Sequence, residues 1–259
     1  MSPYPPAIET RDAEVTTPVP VIHRLRQHLQ MTPPALLRRE ILLTLSTIEA
    51  GLLDASVYAS LGRVFVANMT GNIILLGIAI ADLQIEIDVL PILVSLASFF
   101  IGGLIAGLLE RSTRQHEIGY TRWFFGLITL VDCALNFIST ALVFSHVVVS
   151  EQLTGNLRLI LFAFLALGQG AQLVLTKRAG LPEFSNAVIT NIYIDLSTDE
   201  KLFYFWGEGV RSRNRRVLCL VALLVGSLIG GETVKFKGFG IALVISGVIS
   251  FVTAIGWVV

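Results

Sequence analysis

Charge is scarce in this sequence. Of 259 residues, 15% are charged, against about 25% in soluble domains. The net charge is zero, so nothing points to nucleic acid or to an acidic partner. Cysteine is rarer still. Cys133 and Cys219 are the only two, and both lie in or beside apolar runs. That excludes a disulfide framework and leaves two buried thiols. The four histidines (His23, His28, His116 and His146) fall in the polar N-terminal stretch, in a loop or at the edge of an apolar run. There is no HExxH, CxxC, GxSxG or phosphate-binding loop, and no nucleophile–base pair suggests an enzyme. No cofactor and no metal are expected. The expectation is a non-enzyme, with an intramembrane enzyme only the third reading.

What the sequence has instead is apolar length. Hydrophobic residues make up 54% and the mean hydropathy is +0.74. The excess sits in long runs separated by short polar stretches. A membrane-spanning helix needs about 20 mostly apolar residues, because the hydrocarbon core is about 30 Å thick and the helix rises about 1.5 Å per residue. Residues 41–61, 91–109, 123–144, 157–175, 217–234 and 239–258 meet that need. Two stretches are ambiguous. Residues 64–81 are broken by Asn68, Thr70, Gly71 and Asn72, and residues 184–196 carry Ser185, Asn186, Thr190, Asn191 and Asp195. Residues 1–38 read as a disordered tail, basic near the membrane through His23, Arg24, Arg26, His28, Arg38 and Arg39. Residues 39–259 form the transmembrane domain.

Loop charge decides the ambiguous stretches. Lys and Arg collect on the cytoplasmic side. If neither stretch crosses and the tail is inside, Asp82, Glu86 and Asp88 fall outside. Arg111, Arg114 and Arg122, then Lys177 and Arg178, then Arg211, Arg213, Arg215 and Arg216 all fall inside. Only the Lys235–Lys237 turn breaks the rule. The expectation is an all-α polytopic bundle with six crossings, two broken or re-entrant segments and both termini cytoplasmic. Eight crossings is the alternative. The membrane in question is not specified by the sequence.

The halves, 40–146 and 156–258, resemble each other. Gly102-Gly103-Leu104-Ile105-Ala106-Gly107 is matched by Gly226-Ser227-Leu228-Ile229-Gly230-Gly231, each followed by an acid, Glu110 or Glu232. Met69-Thr70-Gly71-Asn72 has a weaker counterpart in Ile189-Thr190-Asn191. The offset is about 120 residues throughout, the pattern of a duplication. With three crossings per half, the second copy is inverted, an arrangement characteristic of transporters whose sites lie where broken helices meet. Gly103 with Gly107, and Gly226 with Gly230, are spaced for close helix packing. The two spans that carry them are expected to pack tightly, with mutual packing across the pseudo-twofold axis as one arrangement.

Acids inside a span cost about 2.5–3.5 kcal/mol each near its centre on insertion scales. Glu49 and Asp54 share the first span, but five helical steps turn them about 140° apart. Asp132 is mid-span, with Asn136 one turn along. No Lys or Arg lies deep in a span to pair with them. Each acid is therefore expected to be protonated, hydrogen-bonded or turned to a wet cavity. Glu49, Asp132 and Glu232 read first as structural; Asp54 with the Thr70-Gly71-Asn72 break reads first as functional. Gln169 and Gln172 share a face and are expected to look inward. A substrate or ion site built from Asp54, Thr70, Gly71, Asn72, Gln169, Gln172, Thr190 and Asn191 is the sharpest hypothesis. The sequon Asn68-Met69-Thr70 lies in an apolar segment that the glycosyltransferase does not reach.

Ala50-Gly51-Leu52-Leu53-Asp54-Ala55, followed by Phe65-Val66-Ala67-Asn68-Met69-Thr70-Gly71-Asn72 and Gly77, resembles the signature of the YoaK-type membrane proteins, a domain of unknown function of bacteria and fungi. The resemblance covers roughly residues 40 to 258. It implies a multi-spanning membrane protein and carries no substrate with it. In its second half the family usually shows a TGT-like motif, where this chain has Thr190-Asn191 without the glycine.

The expected function is a secondary transporter or channel-like protein for a small solute or ion, proton-coupled through Asp54. The rival is a non-transporting scaffold or accessory protein. The expected partner is the lipid bilayer, an oligomer is allowed, and nucleic acid is not a partner. Residues 198–208, with Phe203, Tyr204, Phe205 and Trp206, are expected to lie at the membrane interface.

Overall fold

The computed structural model describes residues 35–81, 87–115, 122–145, 157–184, 189–204 and 210–259. The polar tail before residue 35, the acidic residues Asp82 and Glu86, His116, the Glu151 loop, Ser185, Asn186, Phe205 and Trp206 lie outside the described residues, as does the side chain of Arg114. Among the described residues there are eight α-helices, a 3-10 turn at Pro182–Phe184, and no strand. The helices are α1 (Leu36–Leu61), α2 (Met69–Ile80), α3 (Val89–Gln115), α4 (Arg122–Phe144), α5 (Leu157–Arg178), α6 (Ile189–Ser197), α7 (Val210–Lys237) and α8 (Phe239–Val258). Six of them, α1, α3, α4, α5, α7 and α8, are long and apolar enough to cross a membrane. The two ambiguous stretches form only the short helices α2 and α6, of 12 and 9 residues. At about 1.5 Å per residue neither traverses a 30 Å core.

Glycine sets which helices approach. α1 packs on α7, α3 on α5, and α4 on α8. In the first crossing, a side chain at Gly226 would strike the Ile48 carbonyl, and one at Gly51 the Leu223 carbonyl. In the second, Gly102 faces the Leu167 carbonyl and Gly170 faces that of Phe99 in the same way. Each crossing thus takes glycine from both partners, and backbone meets backbone without Cβ atoms between. This overturns the mutual packing of the glycine-bearing spans: α3 docks on α5 and α7 on α1. The partners bring glycines of their own, Gly170 and Gly51, and two facing glycines permit the closest approach. On α3 the contact falls at Gly102, with Gly103 3.6 Å from the Gly170 carbonyl, while Gly107 meets nothing within 4 Å. On α7 both Gly226 and Gly230 face α1.

Polar contacts define one end of the bundle. Arg39 donates to Ala179 O (3.0 Å), Arg178 pairs with the buried Glu110 (3.1 Å), and Arg211 and Arg215 both bind Glu40 (2.9 and 2.6 Å). The start of α1, the ends of α3 and α5 and the start of α7 therefore share that end. Arg122 reaches Val259 O (2.8 Å), joining the start of α4 to the end of α8. Arg213 gathers the carbonyls of Lys201, Leu202 and Tyr204, and Arg216 pairs with Asp195 and Asp199, so the chain after α6 is tied to α7. At the opposite end Arg158 pairs with Asp88.

The interior is layered. One apolar cluster, including Leu43, Phe125, Leu175 and Trp257, fills the end near Arg39. Another, including Val57, Ile92, Leu161 and Leu243, fills the opposite end. Between them lie the buried polar residues Glu49, Asp132, Asn136, Gln172, Ser246 and Ser250.

Candidate functional site

Helix α1 ends where Gly62 (φ 120°) and Arg63 (φ 62°) turn into the left-handed region, and the chain then folds back against its own helix. Asp54 on α1 receives that return: its Oδ1 accepts from the amides of Val66 (2.8 Å) and Ala67 (2.7 Å). Asn72 holds the same segment from the other side. Its Oδ1 accepts from Phe65 N (2.9 Å), and its Nδ2 donates to Phe65 O (2.8 Å) and to Ser95 Oγ (3.2 Å). Ser95 Oγ itself donates to Phe65 O (2.6 Å), tying the clamp to α3. Asn68 caps α2, its Oδ1 accepting from Gly71 N (3.1 Å). A Cβ at Gly71 would lie 2.9 Å from the Phe65 ring. The Asp54 and Phe65–Asn72 motifs thus build one re-entrant turn, whose backbone groups need such partners at membrane depth.

Beside this turn lies a cavity of about 600 Å³, within the range of small-molecule sites. Asp54 and Tyr58 of α1 line it, as do Thr70 and Gly71 of α2, Thr190 of α6 and Ser227 of α7. The N-termini of both short helices therefore meet at one cavity. Asp54 is partly buried, and Thr70 and Thr190 are exposed at its rim.

The residues expected from sequence divide. Asp54, Thr70, Gly71 and Thr190 line the large cavity. Asn72 is fully buried in its clamp and Asn191 is exposed; neither lines it. Gln169 and Gln172 face a separate cavity of about 20 Å³, the volume of one water. Ser46, Thr47 and Thr176 also line this inner cavity. Ala67, whose amide Asp54 binds, borders both cavities. Gln172 is 5% exposed, and among the described residues neither its amide nitrogen nor its oxygen completes a hydrogen bond of standard geometry.

Sequence reasoning set Glu49 and Asp132 aside from the site, and it missed Ser246 and Ser250. Glu49 Oε1 accepts from Ser250 Oγ (2.5 Å), Asn136 Nδ2 (3.0 Å) and Ser246 Oγ (3.2 Å). Asp132 Oδ2 accepts from Ser250 Oγ (3.1 Å) and Asn136 Nδ2 (3.4 Å). The two carboxyl groups therefore share both donors, Ser250 Oγ and Asn136 Nδ2. Gly168 of α5 leaves room for Asp132, since a Cβ there would strike Oδ1. One signal was legible: Ser246, Ser250 and Thr253 mark a small polar stripe along one face of α8. Glu232 is exposed on α7, and Cys133 and Cys219 are free, buried thiols.

Six apolar crossing helices around a buried polar layer, with two half-length helices meeting at a cavity, define a polytopic α-helical membrane protein. Residues 42–256 match the family described as Protein of unknown function (DUF1275), and the chain belongs to that family. It is 30% identical over 197 residues to the UPF0700 transmembrane protein YoaK of Bacillus subtilis (strain 168), covering 74% of this chain and 82% of that protein. No solved structure matches the chain.

Proposed function

We propose that this protein is a secondary transporter or channel-like protein for a small solute, coupled to protons and built from two inverted halves. The observation that carries the reading is the meeting of the α2 and α6 N-termini at one cavity beside Asp54. Paired interrupted helices of inverted-repeat transporters meet at their sites in this way. The helix crossings support the inverted halves. Gly51 and Gly170 occupy equivalent places in the α1–α7 and α3–α5 crossings, as do Gly226 and Gly102, with offsets of about 120 residues. The shared end bearing Arg39, Arg178, Arg211 and Arg215 is the cytoplasmic one on this reading, with both termini there. Exposed Phe100, Leu104 and Leu108 of α3 and Leu224 and Leu228 of α7 meet lipid or a second copy. No enzymatic step is assigned.

The test is thiol accessibility in intact cells, with Cys133 and Cys219 replaced and single cysteines at Thr70, Thr190 and Gln169. A membrane-impermeant reagent is expected to label the first two, from one face or the other, and to spare Gln169. If positions 70 and 190 are both unreactive before and after permeabilisation, the cavity is dry and the transport reading falls.

One observation favours the rival, a non-transporting scaffold. Asp54 Oδ1 is engaged by two backbone amides, so its carboxylate has a structural task. Under the rival, Asp54→Ala, which removes the acceptor for those amides, lowers folding yield, while Asp54→Asn, which keeps it, leaves folding and every solute response unchanged.

A further inference from the structure

We propose that Glu49 and Asp132 together form a proton-binding site at the centre of the bundle, reached from the larger cavity through Gln172 and the inner cavity. The proton site stands by itself; its coupling to a solute rests on the transport reading above.

Hydrogens are in short supply at the centre of the bundle. Ser250 Oγ carries one hydrogen, yet it lies within bonding distance of Glu49 Oε1 (2.5 Å), Asp132 Oδ2 (3.1 Å) and Ser246 O (3.1 Å). Asn136 Nδ2 carries two, and faces Glu49 Oε1 (3.0 Å), Ser250 Oγ (3.2 Å) and Asp132 Oδ2 (3.4 Å). Ser246 Oγ adds one more, toward Glu49 (3.2 Å). Seven close contacts thus share four hydrogens, and Ser250 Oγ and Asn136 Nδ2 each bridge the two carboxyls. Two ionised carboxylates bridged in this way, 1% and 2% exposed, repel strongly in a low-dielectric interior. One proton held between them adds a donor where donors are short and removes one of the two like charges. The pair then titrates as a unit rather than as two residues.

Among the described residues no cation takes that role: no Lys or Arg forms an ion pair with Glu49 or Asp132. From α1 the pair is faced by Glu49 itself. From α4 come Asp132, Asn136 and the Cys133 thiol, which lies 3.6 Å from Gly247 O. From α8 come Ser246 and Ser250, and from α5 Gly168 and Gln172. Cys133 is the only other titratable group among them. Among the described residues no group of three or more His, Cys, Asp or Glu is placed to hold a metal ion.

Gln172 marks the way in. It lies near the Asp132 carboxyl, and it lines the inner, water-sized cavity. Among the described residues its nitrogen and oxygen complete no hydrogen bond of standard geometry, which leaves the amide to bond a water there. Ala67 then separates this cavity from the larger one. On release, one carboxyl O–H bond breaks and one forms on water, leaving hydronium and one added negative charge on the pair.

The experiment is infrared difference spectroscopy of the full-length protein in nanodiscs, titrated with pH in potassium buffer and repeated in deuterated water. The background is Asp54→Asn, which removes the other interior carboxyl near the path. A carboxylic-acid C=O band is expected to disappear as pH rises, to shift on deuteration, and to be lost in Glu49→Gln/Asp132→Asn. If no such band titrates, or if it persists in that double variant, the proposal is overturned. Should the double variant not fold, Ser250→Ala keeps both acids and removes the bridging hydroxyl. It is expected to move the titration midpoint by about one pH unit, and an unmoved midpoint overturns the proposal. A band that responds to sodium at fixed pH, and not to pH, overturns it as well. Because the readout needs no solute, it can succeed where the labelling of positions 70 and 190 fails, and fail where that succeeds.

Discussion

Asn72 shows how one side chain can decide a local fold. Its amide pairs with both backbone polar groups of Phe65, as a neighbouring strand would, and it recruits Ser95 from α3. Replacing it with alanine leaves Phe65 N–H and Ser95 short of a buried partner. Unmet buried groups cost about 1–3 kcal/mol each. Asn72→Ala is therefore expected to lower the melting temperature of the detergent-solubilised protein clearly, whereas Asn191→Ala, at an exposed position, is expected to leave it within error. Equal effects would show that the clamp contributes nothing. Asp54 combines two tasks at the same turn. Its Oδ1 holds the returning backbone, and its side chain lines the larger cavity. Asn at position 54 keeps an oxygen acceptor for the amides, so Asp54→Asn is the variant that separates charge from folding.

Among helices, the stabilising contacts are close crossings. Lipid tails are as apolar as leucine, so helix association in a bilayer draws on packing and hydrogen bonds rather than on expulsion of water. The α1–α7 and α3–α5 crossings bring backbone carbonyls up to glycines of the partner. A methyl group at such a point forces the helices apart, and overpacking costs about 1–3 kcal/mol. Gly102→Ala and Gly226→Ala are each expected to destabilise by that amount in a thermal melt of the purified protein. Gly107→Ala, with nothing within 4 Å of its Cβ, is expected to be neutral. If Gly107→Ala proved as damaging as Gly102→Ala, the crossing would be misplaced along α3. The short helices answer to different constraints. α2 is fixed by its Asn68 cap and the Asn72 clamp, and the chain following α6 by the hold of Arg213 on the 201–204 carbonyls.

For the whole molecule, alternation of six crossings fixes which ends lie together. Asp88 precedes α3 and Arg111 lies near its C-terminal end; both are exposed, on opposite ends of the bundle. With native cysteines replaced, a cysteine at position 88 is expected to label from outside intact cells, and one at 111 only after permeabilisation. Labelling of both from the same side would refute six crossings with α3 spanning. Two apolar clusters close the ends, and the polar layer between them holds the buried acids. Such a layer has low-dielectric walls on both sides, which raises the stake of every unmet charge within it. It is also where a charge change would be felt by α1, α4, α5 and α8 together.

Apolar length and loop charge were enough to foresee an all-helical polytopic chain with six crossings and two short segments. Those features depend on hydrophobic transfer and on the cost of unpaired backbone in lipid, both of which are local properties of a sequence. The interruption of the 64–81 stretch was legible for the same reason, but it falls at residues 62–68, and Thr70, Gly71 and Asn72 form the first turn of α2 instead of a break, because Asn68 caps the helix ahead of them. Helix partnership was not. Gly103 and Gly107 had the right spacing, but the α3 contact falls at Gly102, and the partner is α5 rather than α7. Side-chain facing was legible only in part. The angle between Glu49 and Asp54 followed from helical geometry, yet their neighbours, the central polar layer and the re-entrant turn, did not. The eight expected site residues were close along two repeats, but Gln169 and Gln172 turn to an inner cavity while Asn72 is consumed by its clamp. The amino-acid order alone determined what must be buried in lipid and what must break a helix. Only tertiary packing decided which carboxyls share hydrogens, because that depends on contacts between residues more than 80 positions apart.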